Sequence, residues 1–159
     1  MATPHGIVVH PGAARPTDYL FRVSLKCVVF NAFGEVLVVK ERGRDWWDLP
    51  GGGMDHGETI AEAIARELRE EVSLEGVFIF EIITAEDPVL LTEHGFWQLR
   101  LVVSVTPKSY TFSPGIDADE VQFVDPKTFK NAKRKTDAAI YTYARLATSK
   151  KIPPHLFKK

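Results

Sequence analysis

The chain has a single cysteine, Cys27, among 159 residues, so it cannot form an internal disulfide. Its formal net charge of −1 gives no general attraction to nucleic acid. No apolar run approaches the roughly 18 residues of a membrane-spanning helix, and the N-terminus lacks the basic and long apolar regions of a secretory signal. We therefore expect a cytoplasmic protein with neither a membrane nor a nucleic-acid partner.

Internal repeats, low-complexity segments, Walker-type loops and cysteine-rich metal sites are also missing from the sequence. A chain of this length, 45% hydrophobic, can bury one core large enough to fold alone. We expect one domain over residues 18–149. Residues 1–17, rich in proline, are predicted to be a tail or an extended edge segment, and residues 150–159 a second tail.

A glycine-rich loop and the helix after it, within residues 49–74, stand out from the rest of the chain. The loop is Pro50-Gly51-Gly52-Gly53, in which three glycines after a proline disfavour a regular helix or strand. Backbone without side chains can approach a phosphate or a metal ion closely. The loop is therefore a candidate binding element.

The helix after the loop has a clear start and an apolar face. Thr59 and Glu62 have the spacing of a capping box, which closes free N–H groups of the first turn. At about 100° per residue, one face of the helix gathers apolar side chains in an arc of about 140°. These residues are Ile60, Ala61, Ile64, Ala65, Leu68 and Val72. The helix should bury this face against the core.

Glu67, Glu70 and Glu71 fall together on one flank of this helix, and Glu71 lies at the edge of the apolar stripe. Neighbouring carboxylates repel one another, and a partly buried one needs a positive partner. Two interpretations remain open from the glutamates alone. They form either a solvated acidic helix end or a site for a hard divalent cation such as Mg²⁺.

The residues from loop to helix end closely resemble the signature box of the Nudix hydrolase (MutT-like) family. The matching positions are Gly52, Glu58, Arg66, Glu67, Leu68, Glu70, Glu71 and Leu74. Ser73 departs from the pattern, because the family usually has glycine there. A non-glycine residue is strained in a left-handed helix end, but the glutamates are unaffected.

This resemblance implies a fold, a cofactor and roles for particular residues. The fold is α+β, a Nudix-type α/β/α sandwich with a mixed β-sheet, one metal-binding helix and a C-terminal helix. The implied cofactor is Mg²⁺, for which Mn²⁺ can substitute. Its implied ligands are Glu67, Glu70, Glu71 and the carbonyl of Gly51. Glu58 and Arg66 match the family's structural ion pair, and either Glu67 or Glu71 is the expected general base.

Residues outside the box are candidates for catalysis and substrate binding. Glu120 resembles the late glutamate that completes the site in some Nudix proteins, so we expect a catalytic role for it or for a neighbouring aspartate. Arg44 and Trp46, just ahead of the glycines, are candidates for substrate contact. Pro88 lies roughly where ADP-ribose-type members have a proline. A loop at residues 86–95 is expected to cover a pocket or to join a partner in a homodimer.

The remaining segments supply scaffold. Residues 22–31 and 35–41 are rich in valine and are predicted to pair as a β-hairpin. Residues 76–85 and 96–106 are predicted central strands. Residues 136–148 are predicted to form a helix that packs on the sheet.

The resemblance implies Mg²⁺-dependent hydrolysis of a diphosphate bond in a nucleoside diphosphate linked to another moiety, by attack of water at phosphorus. The candidate substrates are nucleotide-derived small molecules: nucleotide sugars, ADP-ribose or (d)NTPs. A different class of function is also open, since the fold can serve as a nucleotide-binding sensor without turnover.

Overall fold

The computed structural model describes residues 6–149, so the predicted tail at 150–159 and the first five residues lie outside it. The strands are β1 (Ile7–Val9), β2 (Thr17–Tyr19), β3 (Phe21–Val28), β4 (Val36–Glu41), β5 (Phe78–Ala85), β6 (Val89–Leu91), β7 (Phe96–Pro107) and β8 (Ala118–Val124). The helices are α1 (Ile60–Val72) and α2 (Lys135–Ser149), with a short 3-10 turn at Pro126–Phe129.

The larger sheet is mixed and is built around β7. Strand β3 runs parallel to β7, from the pair Phe21 and Trp97 to the pair Val28 and Ser104. Strands β5 and β6 run antiparallel to β7. The mixed sheet is as expected. Both predicted strands are present, but only β7 is central, because β5 lies at one end of the order β3-β7-β5 and is largely exposed. The predicted loop at residues 86–95 is interrupted by β6, a short strand that the sequence analysis missed.

The predicted hairpin of residues 22–31 and 35–41 forms only next to its turn, where Phe30 and Val36 make an antiparallel bridge and the Leu37 N–H donates to the Val29 carbonyl at 2.9 Å. Further along the prediction is wrong, because β3 and β4 belong to different sheets. Strand β4 pairs antiparallel with β8 in a separate two-stranded sheet. The chain does turn between β3 and β4, where the Asn31 N–H donates to the Glu35 carbonyl at 3.0 Å. Beyond the turn, the glycine-rich loop takes the edge of β3 that β4 was expected to occupy. The Leu25 N–H donates to the Gly52 carbonyl at 2.8 Å.

The two helices cover opposite faces of the larger sheet, as an α/β/α sandwich requires. Leu25 and Cys27 of β3 share a buried cluster with Leu68 of α1. Val28, the next residue on the other face of β3, packs in a second cluster with Ile140 of α2. Because successive side chains of β3 point to opposite faces of the sheet, this one strand contributes residues to both hydrophobic clusters.

The buried stripe of α1 is rotated from the predicted arc. Ala61 is exposed, whereas Ala63, Glu67 and Glu71 are buried beside the apolar residues. The apolar pattern located the helix, but the centre of the face that is buried differs from the centre of the predicted arc by about 40° around the helix axis. Two carboxylates consequently lie in the interior. Leu68 is fully buried, and its truncation to alanine should cost about 2–5 kcal/mol of stability.

The N-terminal segment is not a free tail over its described part, since β1 and β2 pair antiparallel in a small ribbon of their own. The C-terminal helix was predicted within one residue of each end of α2. Within residues 6–149, no helix has both the length and the apolar character needed to cross a membrane.

Candidate active site

The glycine-rich loop lies flat along the free edge of β3. Besides the bond to Gly52, the Cys27 N–H donates to the Pro50 carbonyl at 2.8 Å. Gly51 has a φ of +134°, and a Cβ at this position would lie 2.3 Å from the Leu25 carbonyl oxygen. Only glycine fits such a backbone at such a contact. The sequence of the loop therefore fixes its path against the strand.

The same loop touches the carboxylate flank of α1. A Cβ on Gly52 would lie 2.7 Å from Oε1 of Glu67. The Gly51 N–H donates to Oε2 of Glu71 at 2.8 Å. Loop backbone and helix carboxylates thus form one surface.

Helix α1 begins and ends as its sequence predicts. Thr59 and Glu62 form the reciprocal capping box. Ser73 ends the helix in the left-handed conformation at φ 54°, where its N–H donates to the Leu68 carbonyl. The Ser73 hydroxyl donates to the Pro114 carbonyl at 3.2 Å, which partly offsets the strain.

Arg66 connects the glycine loop to the helix. Its Nε and Nη2 donate to the two oxygens of Glu58 at 2.6 and 3.0 Å, and Nη2 also donates to the Gly53 carbonyl at 2.9 Å. These hydrogen bonds lower the pKa of Glu58 to about 2. The pair occurs at the positions where the resemblance places a structural ion pair.

Glu71 is the most enclosed carboxylate of the site, with 5% of its surface exposed. Burial raises the pKa of Glu71 to about 8, although the Gly51 N–H and the cation of Lys26 oppose the rise, and the like charge of Glu67 adds to it. The ionised carboxylate therefore lacks sufficient positive charge around it. A cation bound beside Glu71 would correct this deficit.

Glu67 and Glu70 share Arg66 as their cation. Glu67 is 7% exposed, and its Oε1 lies 2.8 Å from Nη1 of Arg66. Oε2 of Glu70 lies 3.3 Å from the same nitrogen. Burial raises the pKa of Glu67, whereas Arg66 lowers it. The single guanidinium of Arg66 thus pairs with three carboxylates, those of Glu58, Glu67 and Glu70. The carboxylate flank of α1 therefore keeps an excess of negative charge.

Lys26 is a site residue that the sequence analysis missed. It lies on β3, with only 10% of its side chain exposed, and its Nζ is 2.7 Å from Oδ2 of Asp48. Nζ also lies 3.3 Å from the Leu49 carbonyl oxygen and 3.5 Å from that of Gly51. The available signal was a lysine flanked by the apolar Leu25 and Cys27 in the middle of a strand, since a buried lysine usually has a partner.

The donor atoms of the site suit a hard divalent cation. Carboxylate and carbonyl oxygens are the ligands that Mg²⁺ prefers, and the burial of Glu67 and Glu71 leaves negative charge for it to neutralise. Among residues 6–149, no group of three or more histidine, cysteine, aspartate or glutamate side chains is arranged to hold a metal ion by itself. Mg²⁺ commonly binds one or two carboxylates and completes its shell with waters and substrate phosphates. The residues present fit an ion held in this open manner.

The late acidic residues lie on β8 and bond to the neighbouring strand and loop. Oε1 of Glu120 lies 2.9 Å from Nζ of Lys40 on β4. Oδ2 of Asp119 accepts from the Gly43 N–H at 2.8 Å. Glu120 thus bonds to β4, whereas the bonds of Glu71 and Arg66 connect the glycine loop to α1.

The candidate substrate residues fall on two separate surfaces. The Trp46 ring lies 4.8 Å from the guanidinium of Arg44 and 4.4 Å from that of Arg134, at the start of α2. Pro88 lies elsewhere, in the wall of a cavity of about 520 Å³ with Tyr19, Phe21 and Trp97 among its lining. An adjoining cavity of about 410 Å³ shares Phe21 and reaches Arg22 and Met54, beside the glycine loop.

Comparison with known proteins identifies the family. The model of the NUDIX domain matches residues 20–146. RNA pyrophosphohydrolases from Shewanella frigidimarina and Shewanella sediminis are 43% and 44% identical over 54 residues. Each of these matches covers 34% of this chain and 31% of the relative.

Solved structures share the fold at low sequence identity. The MutT protein of Methanosarcina mazei Go1 aligns over 83% of this chain and 96% of its own, with a TM-score of 0.65 and 20% identity. The NUDIX domain of Shewanella oneidensis NrtR, solved in complex with ADP ribose, aligns over 82% of this chain and 90% of its own, with a TM-score of 0.64 and 15% identity. With the family model spanning most of the chain and the loop and helix arranged as described, this protein belongs to the Nudix family.

Proposed function

We propose that this protein hydrolyses a diphosphate bond in a nucleoside diphosphate linked to another group, with Mg²⁺ bound at the carboxylate flank of α1. The observation that carries the proposal is the environment of Glu71. Its carboxylate is buried against the glycine loop with too little positive charge around it. Membership of the Nudix family supports the same chemistry.

We assign roles to the site residues as part of this proposal. Glu67, Glu70, Glu71 and the Gly51 carbonyl are the proposed ligands. A divalent cation bound there neutralises the diphosphate and lowers the pKa of the attacking water. Glu58 and Arg66 hold the loop on the helix and take no part in the chemistry.

The proton of the attacking water goes to a carboxylate, for which Glu67 and Glu71 are the two candidates. Water adds to phosphorus as the bridging oxygen leaves, so the products are a nucleoside monophosphate and a phosphorylated remainder. Glu120 remains a third candidate, supplied from β8.

For the substrate we propose a nucleotide-derived small molecule. The aromatic lining of the cavity beside Pro88 suits a planar base, since base–aromatic stacking is favourable for every base. Arg44 and Trp46 form the second candidate surface. ADP-ribose and nucleotide sugars compete with (d)NTPs, and the name of the Shewanella relatives, RNA pyrophosphohydrolase, adds RNA to the candidates.

The test is a substrate panel containing all these classes, assayed with Mg²⁺ and with chelator, and with Mn²⁺ as a substitute. ADP-ribose and nucleotide sugars have no terminal phosphate, so alkaline phosphatase added afterwards releases phosphate only from their monophosphate products. In the triphosphate reactions, inorganic pyrophosphatase is added instead and releases phosphate from the pyrophosphate product. Glu71→Gln should abolish most metal-dependent turnover, and the matched control Glu75→Gln, exposed four residues further along, should not. Unchanged hydrolysis in Glu71→Gln would contradict the proposal.

The alternative is a nucleotide-binding sensor, for which ADP-ribose is the ligand to test, since a NUDIX domain of the same fold has been solved in complex with it. The same panel separates it from the enzyme. Binding of ADP-ribose without turnover of any compound, with metal present, would favour the sensor.

A further inference from the structure

The Gly51 peptide is held at both ends by charged side chains. Its N–H donates to Glu71 at 2.8 Å, and its carbonyl oxygen lies 3.5 Å from the ammonium of Lys26. The carbonyl is the oxygen that the proposed function gives to the metal. Lys26 therefore contacts the Gly51 carbonyl, a proposed metal ligand, in the metal-free protein.

The position of Lys26 is fixed by more than this one contact. Its three ammonium protons match three acceptors, which are Asp48 at 2.7 Å, the Leu49 carbonyl at 3.3 Å and the Gly51 carbonyl. The side chain is largely buried between β3 and the loop. Solvent screens this charge less than an exposed one because the side chain is buried, although Asp48 offsets part of it.

Lys26 also acts on the carboxylates of the flank. Burial dominates the pKa values of Glu71 and Glu67, but the positive charge of Lys26 lowers both. The ammonium thus supplies part of the positive charge that a bound metal would supply. It must likewise repel a divalent cation at the same oxygens.

We propose that Lys26 is a positioning residue that holds the Gly51 carbonyl and sets the metal affinity of the free protein, keeping it lower than the carboxylates alone would give. The inference rests on the proposed metal site. Asp48 holds the Lys26 ammonium in place and offsets part of its positive charge. The negative phosphates of a substrate offset the repulsion further, so the site loads more fully with a diphosphate present.

The experiment measures binding of Mn²⁺ alone, by electron paramagnetic resonance of the free ion. Lys26→Met removes the cation and should tighten binding by about tenfold or more. Asp48→Asn leaves Lys26 without its carboxylate and should weaken binding. The double variant keeps the net charge of the wild type but lacks the ammonium beside Gly51, so its affinity should fall between wild type and Lys26→Met.

Lys108→Met is the matched control, since it removes one exposed positive charge beyond the end of β7. It should leave the Mn²⁺ affinity unchanged. Thermal unfolding in chelator verifies that each variant is folded. If Lys26→Met fails to fold, the double variant decides the question by the same comparison with wild type.

Equal or weaker Mn²⁺ binding in the folded variants lacking Lys26 would overturn the inference and leave the proposed function standing. Absence of Mn²⁺ binding in every protein, wild type included, would instead overturn the proposed metal site and, with it, this inference.

Discussion

Arg66 grips both oxygens of Glu58, with Nε 2.6 Å from Oε1 and Nη2 3.0 Å from Oε2, and so connects the helix to a residue eight positions earlier in the loop. The same guanidinium holds the Gly53 carbonyl at 2.9 Å. One planar, multidentate side chain therefore joins the glycine loop to α1 at two points, in addition to the bond between Gly51 and Glu71.

Replacing Arg66 with lysine should separate charge from geometry. Lysine keeps the positive charge but cannot form the paired bonds of a guanidinium. We expect a loss of about 1–3 kcal/mol in the free energy of unfolding, and at least a tenfold fall in metal-dependent turnover as the loop loosens. Urea unfolding and the hydrolysis assay measure the two effects.

The control for this change is Arg69→Lys, one turn along the same helix, where the side chain is exposed. It should leave stability and turnover near the wild-type values. Wild-type turnover in Arg66→Lys would show that the paired bonds are not needed for the site.

Gly52→Ala should disturb one carboxylate with little effect on the fold. The added Cβ would lie 2.7 Å from Oε1 of Glu67, which is the end of a flexible side chain and can move aside. We expect turnover to fall by about tenfold or more, because small displacements at a reacting centre are costly. The melting temperature should change little.

A double-mutant cycle tests whether the effect of Gly52→Ala passes through Glu67. In a Glu67→Gln background the glycine change should add almost no further loss of turnover. Full additivity of the two losses would contradict the assignment.

Much of this arrangement could be predicted because its signals are local. Thr59 and Glu62 define the start of the helix, and Ser73 marks its strained end. The relation of the loop to the helix was expected from the resemblance to the Nudix box. Interactions within one turn or one loop depend little on the rest of the chain.

What escaped prediction depends on contacts between distant segments. A valine-rich strand does not specify its edge partner, and the glycine loop displaced β4 from the edge of β3. Lys26 and Asp48 are 22 residues apart in sequence and meet through the tertiary fold. The burial of Glu67 and Glu71 likewise follows from how α1 docks and not from its own periodicity.

Ser73→Gly should stabilise the protein. Ser73 adopts φ 54°, a conformation that is strained for residues with a side chain. Glycine removes the strain but gives up the bond to Pro114 and costs more backbone entropy, so we expect a net gain of about 0.5–1 kcal/mol. Ser73→Ala, which loses the bond and keeps the strain, should be destabilising. Urea unfolding of both variants checks the opposite signs.

Glu71 predicts an unusual dependence of stability on pH in the metal-free protein. Its folded-state pKa is about 8, above the unfolded value of 4.5, because of burial. Below pH 4.5 both states are protonated and no penalty exists. As the pH rises from 4.5 to 8 the unfolded state loses its proton first, so the free energy of unfolding falls across this window and levels off above it.

The fall should be on the order of 2–4 kcal/mol for the chelator-treated wild type between pH 5 and pH 8. Glu71→Gln has no proton to lose at this position, so its stability should vary less over the same range. Mg²⁺ binds the ionised form and should restore most of the stability at pH 8, because a ligand that binds only the folded state shifts the equilibrium toward it. Urea unfolding at several pH values, with and without Mg²⁺, measures these differences. Equal slopes for wild type and Glu71→Gln would show that the Glu71 carboxylate ionises normally, and the charge deficit inferred beside Gly51 would then not exist.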